Sequence, residues 1–153
     1  MPITITETHG PAIEPLIPLL LQAEPSEPAL RWGLAHLSDA VYRMDDDGVL
    51  VGAASIQWRD EPCEIEELGI APDRHGQGLG RQFIVWLCDE ARRRGKRTII
   101  VGTPNASLGN IGFYQKVGFR MDHIRNDYFR YYRTPRFEND IQIRDLLVFK
   151  CEL

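Results

Sequence analysis

The sequence predicts a mixed α/β fold, a mostly antiparallel sheet flanked by helices. Three observations carry that reading. The front half breaks into short apolar runs separated by turn residues, the pattern of consecutive antiparallel strands. A strongly periodic helix then presents Leu79, Phe83, Ile84, Leu87, Cys88 and Ala91 on one side. The β-branched run at 97–101 follows it and completes a β-α-β unit. Such an order describes a mixed sheet rather than a doubly wound nucleotide fold.

Taken along the chain, Ile3 and Ile5 alternate with Thr4 and Thr6 as a strand. Residues 13–23 read as a first helix, with Leu16, Leu19, Leu20 and Ala23 on one side, and Pro18 predicts a kink or two short turns. Ser26 is a suitable N-cap for a second helix to Leu37, striped by Leu30, Leu34 and Leu37. Residues 40–44 and 49–58 form a hairpin around the turn Asp45-Asp46-Asp47-Gly48. The break at 59–62 precedes a strand at 63–71. The periodic helix spans about 78–94 and stops at Gly95, and a buried strand follows. A short helix near 107–117 ends at Gly118, and strands are expected from Phe119 to Ile124 and from Leu146 to Glu152.

The chain has 153 residues, enough for one domain with a sizeable core, and residues 1–153 are read as that one domain. A net charge of −4 disfavours general nucleic-acid binding. No apolar run nears the ~20 residues needed to span a bilayer, and the first residues lack a signal-peptide pattern, so no membrane partner and a cytoplasmic location are expected. Cys63, Cys88 and Cys151 are odd in number and far apart, which fits unpaired thiols in a reducing compartment. Cys88 falls on the apolar helix face and is expected in the core. His9, His36, His75 and His123 have no metal-ligand spacing, so no metal is expected.

The most informative stretch is 66–81, E-E-L-G-I-A-P-D-R-H-G-Q-G-L-G-R. Gly76, Gly78 and Gly80 lie where a strand turns into a helix. Free N–H groups at a helix start, together with the helix dipole, suit a phosphate-bearing cofactor. Glycines there let the backbone approach an anion closely. The spacing G-x-G-x-G is neither the dinucleotide G-x-G-x-x-G nor a P-loop, which would need G-K-[S/T]. On spacing alone, an anion site and a merely tight strand-to-helix turn both stand.

A second run, F-Y-Q-K-V-G-F at 113–119, lies about thirty residues downstream. The pair P-x-x-H-G-Q-G-L-G-R and F-Y-Q-K-V-G-F resembles the GNAT superfamily of N-acetyltransferases, and the element order agrees over nearly the whole chain. The resemblance implies that acetyl-CoA is the acyl donor, with no metal. It implies that the loop His75, Gly76, Gln77, Gly78, Leu79, Gly80 and Arg81 holds the pyrophosphate. The strand Leu68, Gly69, Ile70 would pair with the pantetheine arm through its backbone. Asn110 is a further cofactor-binding candidate, and Ser107, with Asn105 nearby, falls on the adenine side, although the family often carries Asn where Ser107 stands. His75, likewise, replaces the usual Gln or Arg.

The resemblance places Tyr114 beside the thioester sulfur. A thiol of pKa near ~8.5 against ~10 for Tyr makes full proton donation uphill by roughly 2 kcal/mol, so a hydrogen bond to the departing sulfur is the expected role. The bland reading is a core aromatic. An amine acceptor must lose a proton before attack, which calls for a base. Glu66 is the first candidate and Glu64 the second. Strand alternation places those two on one face and Glu67 on the other. Solvated strand acids are the alternative.

Glu24, Glu27 and Glu61 would favour a cationic acceptor. The aromatic and cationic stretch 126–137 could close over the acceptor, form a homodimer contact or stack on nucleic acid. The expected function is direct acetyl transfer to a primary amine of a small molecule. An acyl-CoA-binding sensor with little catalysis, or a peptide or protein N-acetyltransferase, remains the alternative.

Overall fold

The computed structural model describes residues 2–153. Strand β1 (Ile3–Thr8) leads into a 3-10 segment at Gly10–Leu16 and one turn of helix α1 (Ile17–Leu20). The single helix expected at 13–23 is therefore two short pieces. Pro11, Pro15 and Pro18 withhold N–H donors too often for an unbroken α-helix. Helix α2 (Glu27–His36) begins where Ser26 Oγ accepts from the Ala29 N–H at 3.4 Å, the N-cap its sequence predicts.

Strands β2 (Ala40–Asp46) and β3 (Val49–Gln57) form the expected hairpin, but its loop is only two residues. Asp47 and Gly48 both have positive φ, 51° and 81°, the twist that a two-residue hairpin requires. Strand β4 (Cys63–Ile70) and helix α3 (Leu79–Arg93) follow. At the end of α3 the Gly95 N–H bonds the Arg92 carbonyl and the Lys96 N–H bonds that of Ala91, each at 3.0 Å. With Gly95 at φ 76°, this is a Schellman stop.

Strand β5 (Thr98–Pro104), helix α4 (Leu108–Lys116) and strand β6 (Arg120–Arg125) come next. A small hairpin of β7 (Phe137–Glu138) and β8 (Ile141–Gln142) precedes β9 (Leu146–Glu152). That hairpin was not anticipated. Its turn residues Asn139 and Asp140, at φ 53° and 61°, are the signal in the sequence that announces it.

The main sheet runs β1-β2-β3-β4-β5-β9-β6, antiparallel at every junction except β4 with β5. One face carries α3 and α4, where Phe83, Leu87, Ile65, Ile99 and Phe149 are fully or almost fully buried. Cys88 is buried there as expected. The other face is covered twice. Leu16, Leu20 and Leu30 pack on Val41 and Ala53, and Phe129 packs on Ile100, Leu146 and Val148. Each such side chain contributes about 1.5–3 kcal/mol of burial. Among the described residues, no helix is long and apolar enough to cross a membrane.

Candidate active site

The sheet splits at its one parallel junction. Strand β4 pairs with β5 only through Cys63–Ile99, Glu64–Ile100 and Ile65–Val101. Beyond that, β4 stays on β3 as far as Ile70, while β5 follows β9 as far as Pro104. A Cβ on Gly102 would come within 2.4 Å of Leu146, so glycine lets β9 close down on β5 on the far side of the gap.

Backbone parity decides which groups face this gap. The Ala71 N–H bonds the Val51 carbonyl on β3 at 2.8 Å, so Leu68 and Ile70 turn their N–H and C=O groups the opposite way. The Ile70 carbonyl is already taken. Gln22 Nε2 donates to it at 2.8 Å, and His75 Nε2 lies 2.8 Å away in position to donate as well. What Leu68 and Ile70 still offer is two N–H groups and the Leu68 carbonyl. Gly69, expected from the sequence to join them, turns its N–H and C=O toward Ala53 of β3 instead. On the sheet face an added Cβ there would stand 2.0 Å from the Leu19 carbonyl oxygen, so glycine lets α1 pack closely.

At the end of β4 the chain passes a 3-10 turn (Pro72–Arg74) and enters the glycine loop. Gly76 and Gly78 both stand at φ 79°, a backbone setting that costs any other residue about 1–2 kcal/mol. Among the described residues, no N–H from Gly76 to Arg81 finds a protein acceptor. The first that does is Gln82, on the Gly78 carbonyl at 3.1 Å. Gly80 packs against Phe113 of α4, where a Cβ would meet the ring at 3.3 Å. Gln77 accepts from Arg74 at 2.9 Å, and Arg74 is itself paired with Asp46, so side chains brace the loop from below. Arg81 reaches the Lys116 carbonyl at the end of α4. The donor set fits an oxyanion such as the diphosphate of coenzyme A.

Tyr114 lies on α4, buried among Phe113, Phe119 and Phe149. Its hydroxyl makes no hydrogen bond with another described residue, and burial pushes its pKa upward, which keeps it a proton donor. Ser107 precedes α4 and is buried, with its hydroxyl donating to Glu138 at 2.8 Å. Asn110 donates to Thr103 Oγ1 at 3.3 Å. Both polar groups expected at the cofactor are thus engaged within the protein. Glu138 comes from the small hairpin, 31 residues from Ser107, so this pairing forms only when that hairpin folds back onto the start of α4.

The carboxylates of β4 do not follow strand alternation. The register slips between Ser55 and Ile56, which face Glu67 and Ile65, so Glu66 is an extra residue, a β-bulge. Alternation therefore fails: Glu67, expected on the opposite face, bonds Ser55 and lies within electrostatic reach of Glu24 and Glu64. Glu64, the second candidate base, is instead clamped by Arg125 through two hydrogen bonds of 2.9 and 3.0 Å. Glu66 makes no hydrogen bond with another described residue. Burial, then repulsion from Glu64 and Glu67, pushes its pKa up to about 8. Burial pushes Glu67 up to about 7, against the pull of the Ser55 hydroxyl.

Segment 126–137 folds back across this face of the sheet. Tyr131 and Tyr132 both donate to Glu24, Tyr132 at 3.0 Å. Burial raises the Tyr128 pKa, and Glu66 and Glu64 add to it, so that phenol stands near the acid cluster. Arg125, Tyr128 and the Glu24 pairing were not selected from the sequence. They join residues too far apart along the chain for any local pattern to link.

A split, mostly antiparallel sheet above an N–H-rich helix start is the architecture of the acyl-CoA N-acyltransferase fold. A family model described as the acetyltransferase (GNAT) family matches residues 14–119, and the chain belongs to that family. It is 33% identical over 99 residues to an uncharacterised N-acetyltransferase, YvbK, of Bacillus subtilis, a match covering 64% of each chain. The chain thus spans less than two thirds of that relative's length. Among solved structures, it resembles a GNAT family acetyltransferase from Elizabethkingia anophelis with acetyl-CoA bound, at TM-score 0.90 and 30% identity, over 99% of this chain and 98% of the other. A Bacillus subtilis acetyltransferase in complex with CoA gives TM-score 0.88 and 28% identity, over 99% of both chains.

Proposed function

We propose that the protein is an acetyl-CoA-dependent N-acetyltransferase that moves the acetyl group directly to a primary amine of a small molecule. The observation that carries this is the parting of β4 from β5 beyond Ile65 and Val101, just before a loop whose N–H groups from Gly76 to Arg81 have no acceptor among the described residues. Acetyl-CoA, when bound, supplies an acyl group activated as a thioester. Leu68 and Ile70 then offer backbone N–H groups to its arm, and one of them polarises the acetyl carbonyl.

Glu66 in its ionised fraction, which grows as pH rises toward 8, accepts the proton of the incoming amine, directly or through water; burial, then Glu64 and Glu67 beside it, set that affinity. Tyr114 donates a hydrogen bond to the departing sulfur from a hydroxyl that no other described residue occupies. The amine class is supported by the carboxylates Glu24, Glu66 and Glu67 gathered on one face.

The test is thiol release from acetyl-CoA across polyamines, amino acids, aminoglycosides and peptides, beside calorimetric binding of acetyl-CoA. Turnover on one chemical group is expected. Binding without turnover on any amine would favour a sensor, and turnover on peptides alone a protein acetyltransferase.

A further inference from the structure

A second concavity, of about 220 Å³, lies between the segment after β6 and the stretch before β9. Arg130, Arg133, Arg136 and Arg144 line it together with one acid, Asp127, and Tyr132 and Ile143 are among its apolar walls. Arginines elsewhere, such as Arg31, Arg43, Arg59 and Arg125, are each answered by a carboxylate. Among the described residues, none of these four is within ion-pair distance of one. Their partners are neutral: Arg130 meets the Asp127 carbonyl at 3.5 Å, Arg144 meets Gln142 Oε1 at 2.8 Å, and Arg136 lies 4.5 Å above the Tyr132 ring.

Four arginines against the single carboxylate of Asp127 leave the hollow with an excess of positive charge, in a chain of net charge −4, and that excess attracts an anion. Guanidinium groups recognise carboxylate and phosphate in forked pairs. The hollow is smaller than the ~300–1,000 Å³ of a pocket for a drug-sized ligand, so it suits a charged end group and not a nucleotide. A single side chain links it to the acid cluster. Tyr132, one of its walls, donates to Glu24, whose charge acts on Glu67.

We propose that Arg130, Arg133, Arg136 and Arg144 form an anion subsite for the acceptor, which holds an oxyanion, carboxylate or phosphate, while the acceptor's amine meets Glu66 and Glu67. The assignment rests on the N-acetyltransferase reading and narrows it to amines that carry an acidic group at the other end. Plain polyamines and neutral amines lack the group that the arginines would bind.

The full-length protein and the double variant Arg133→Gln/Arg144→Gln are compared on O-phosphoethanolamine, ω-amino carboxylates of increasing length, ethanolamine and putrescine. The wild type is expected to favour the acidic amines at least tenfold in kcat/KM, mainly through KM, with that preference lost in the variant and ethanolamine turnover unchanged. The phosphate and carboxylate arms identify the preferred oxyanion. Equal or better use of putrescine, or a preference that survives in the variant, overturns the subsite. A readout free of turnover is 31P line broadening of inorganic phosphate with the glycine loop saturated by CoA. Broadening that the variant abolishes supports the subsite even if no amine is acetylated, in which case only the enzyme reading falls. No broadening overturns it even if amines are acetylated.

Discussion

Replacing Glu66 by Gln should make the protein more stable in alkali while disabling it. The Glu66 carboxyl rises from 4.5 to about 8 because burial withholds water and Glu64 and Glu67 crowd it with negative charge. The folded chain therefore keeps this proton up to about pH 8, whereas the unfolded chain releases it near 4.5. Between those values the unfolded state binds fewer protons, so stability falls as pH rises and the loss is complete above about 8. At ~1.4 kcal/mol for each tenfold change in proton affinity, the ceiling is about 5 kcal/mol. Glu66 is partly exposed, and screening by solvent reduces this to ~2 kcal/mol. Urea unfolding from pH 4 to 9 reads the effect. Glu66→Gln should match wild type at pH 4 and exceed it by ~2 kcal/mol at pH 9, while acetylation at neutral pH falls a hundredfold or so. Stability curves that run parallel across that range, or unchanged turnover, would refute the assignment.

Other substitutions probe the rest of the site. Tyr114→Phe should lower turnover tenfold or more with little change in acetyl-CoA affinity or melting temperature, since its hydroxyl has no partner among the described residues; kinetics beside calorimetry would check it. Arg125→Met leaves Glu64 without its two-point partner and should cost ~3 kcal/mol at pH 7 by urea unfolding; a variant as stable as wild type would show that the clamp adds nothing. Gly69→Ala drives a methyl into the Leu19 carbonyl and should cost about 3 kcal/mol by the same assay, whereas Gly78→Ala, with open space around it, should cost about 1–2 kcal/mol and chiefly weaken acetyl-CoA binding.

What the sequence revealed follows the range of each interaction. Element order and the glycine loop rest on local pattern, and Ser26, Gly78 and Gly95 mark helix ends where they were expected. The bulge at Glu66 does not. It arises from pairing with Ser55 and Ile56 on another strand, and one extra residue reverses every face assignment after it. Glu64 and Arg125 lie 61 residues apart, and Glu24 meets Tyr132 across 108, distances over which no periodicity speaks. The β7–β8 hairpin has a local signal in Asn139-Asp140, whereas the contact that Glu138 makes from it with Ser107 has none.

The parting of the strands also has a mechanical meaning. Among the described residues, the sheet joins β1–β4 to β5, β9 and β6 through three residue pairs, Cys63–Ile99 to Ile65–Val101. An acyl donor seated along Leu68 and Ile70 would serve as a temporary strand and suture the two halves. The molecule would then be stiffest while loaded and loosen each time spent coenzyme departs.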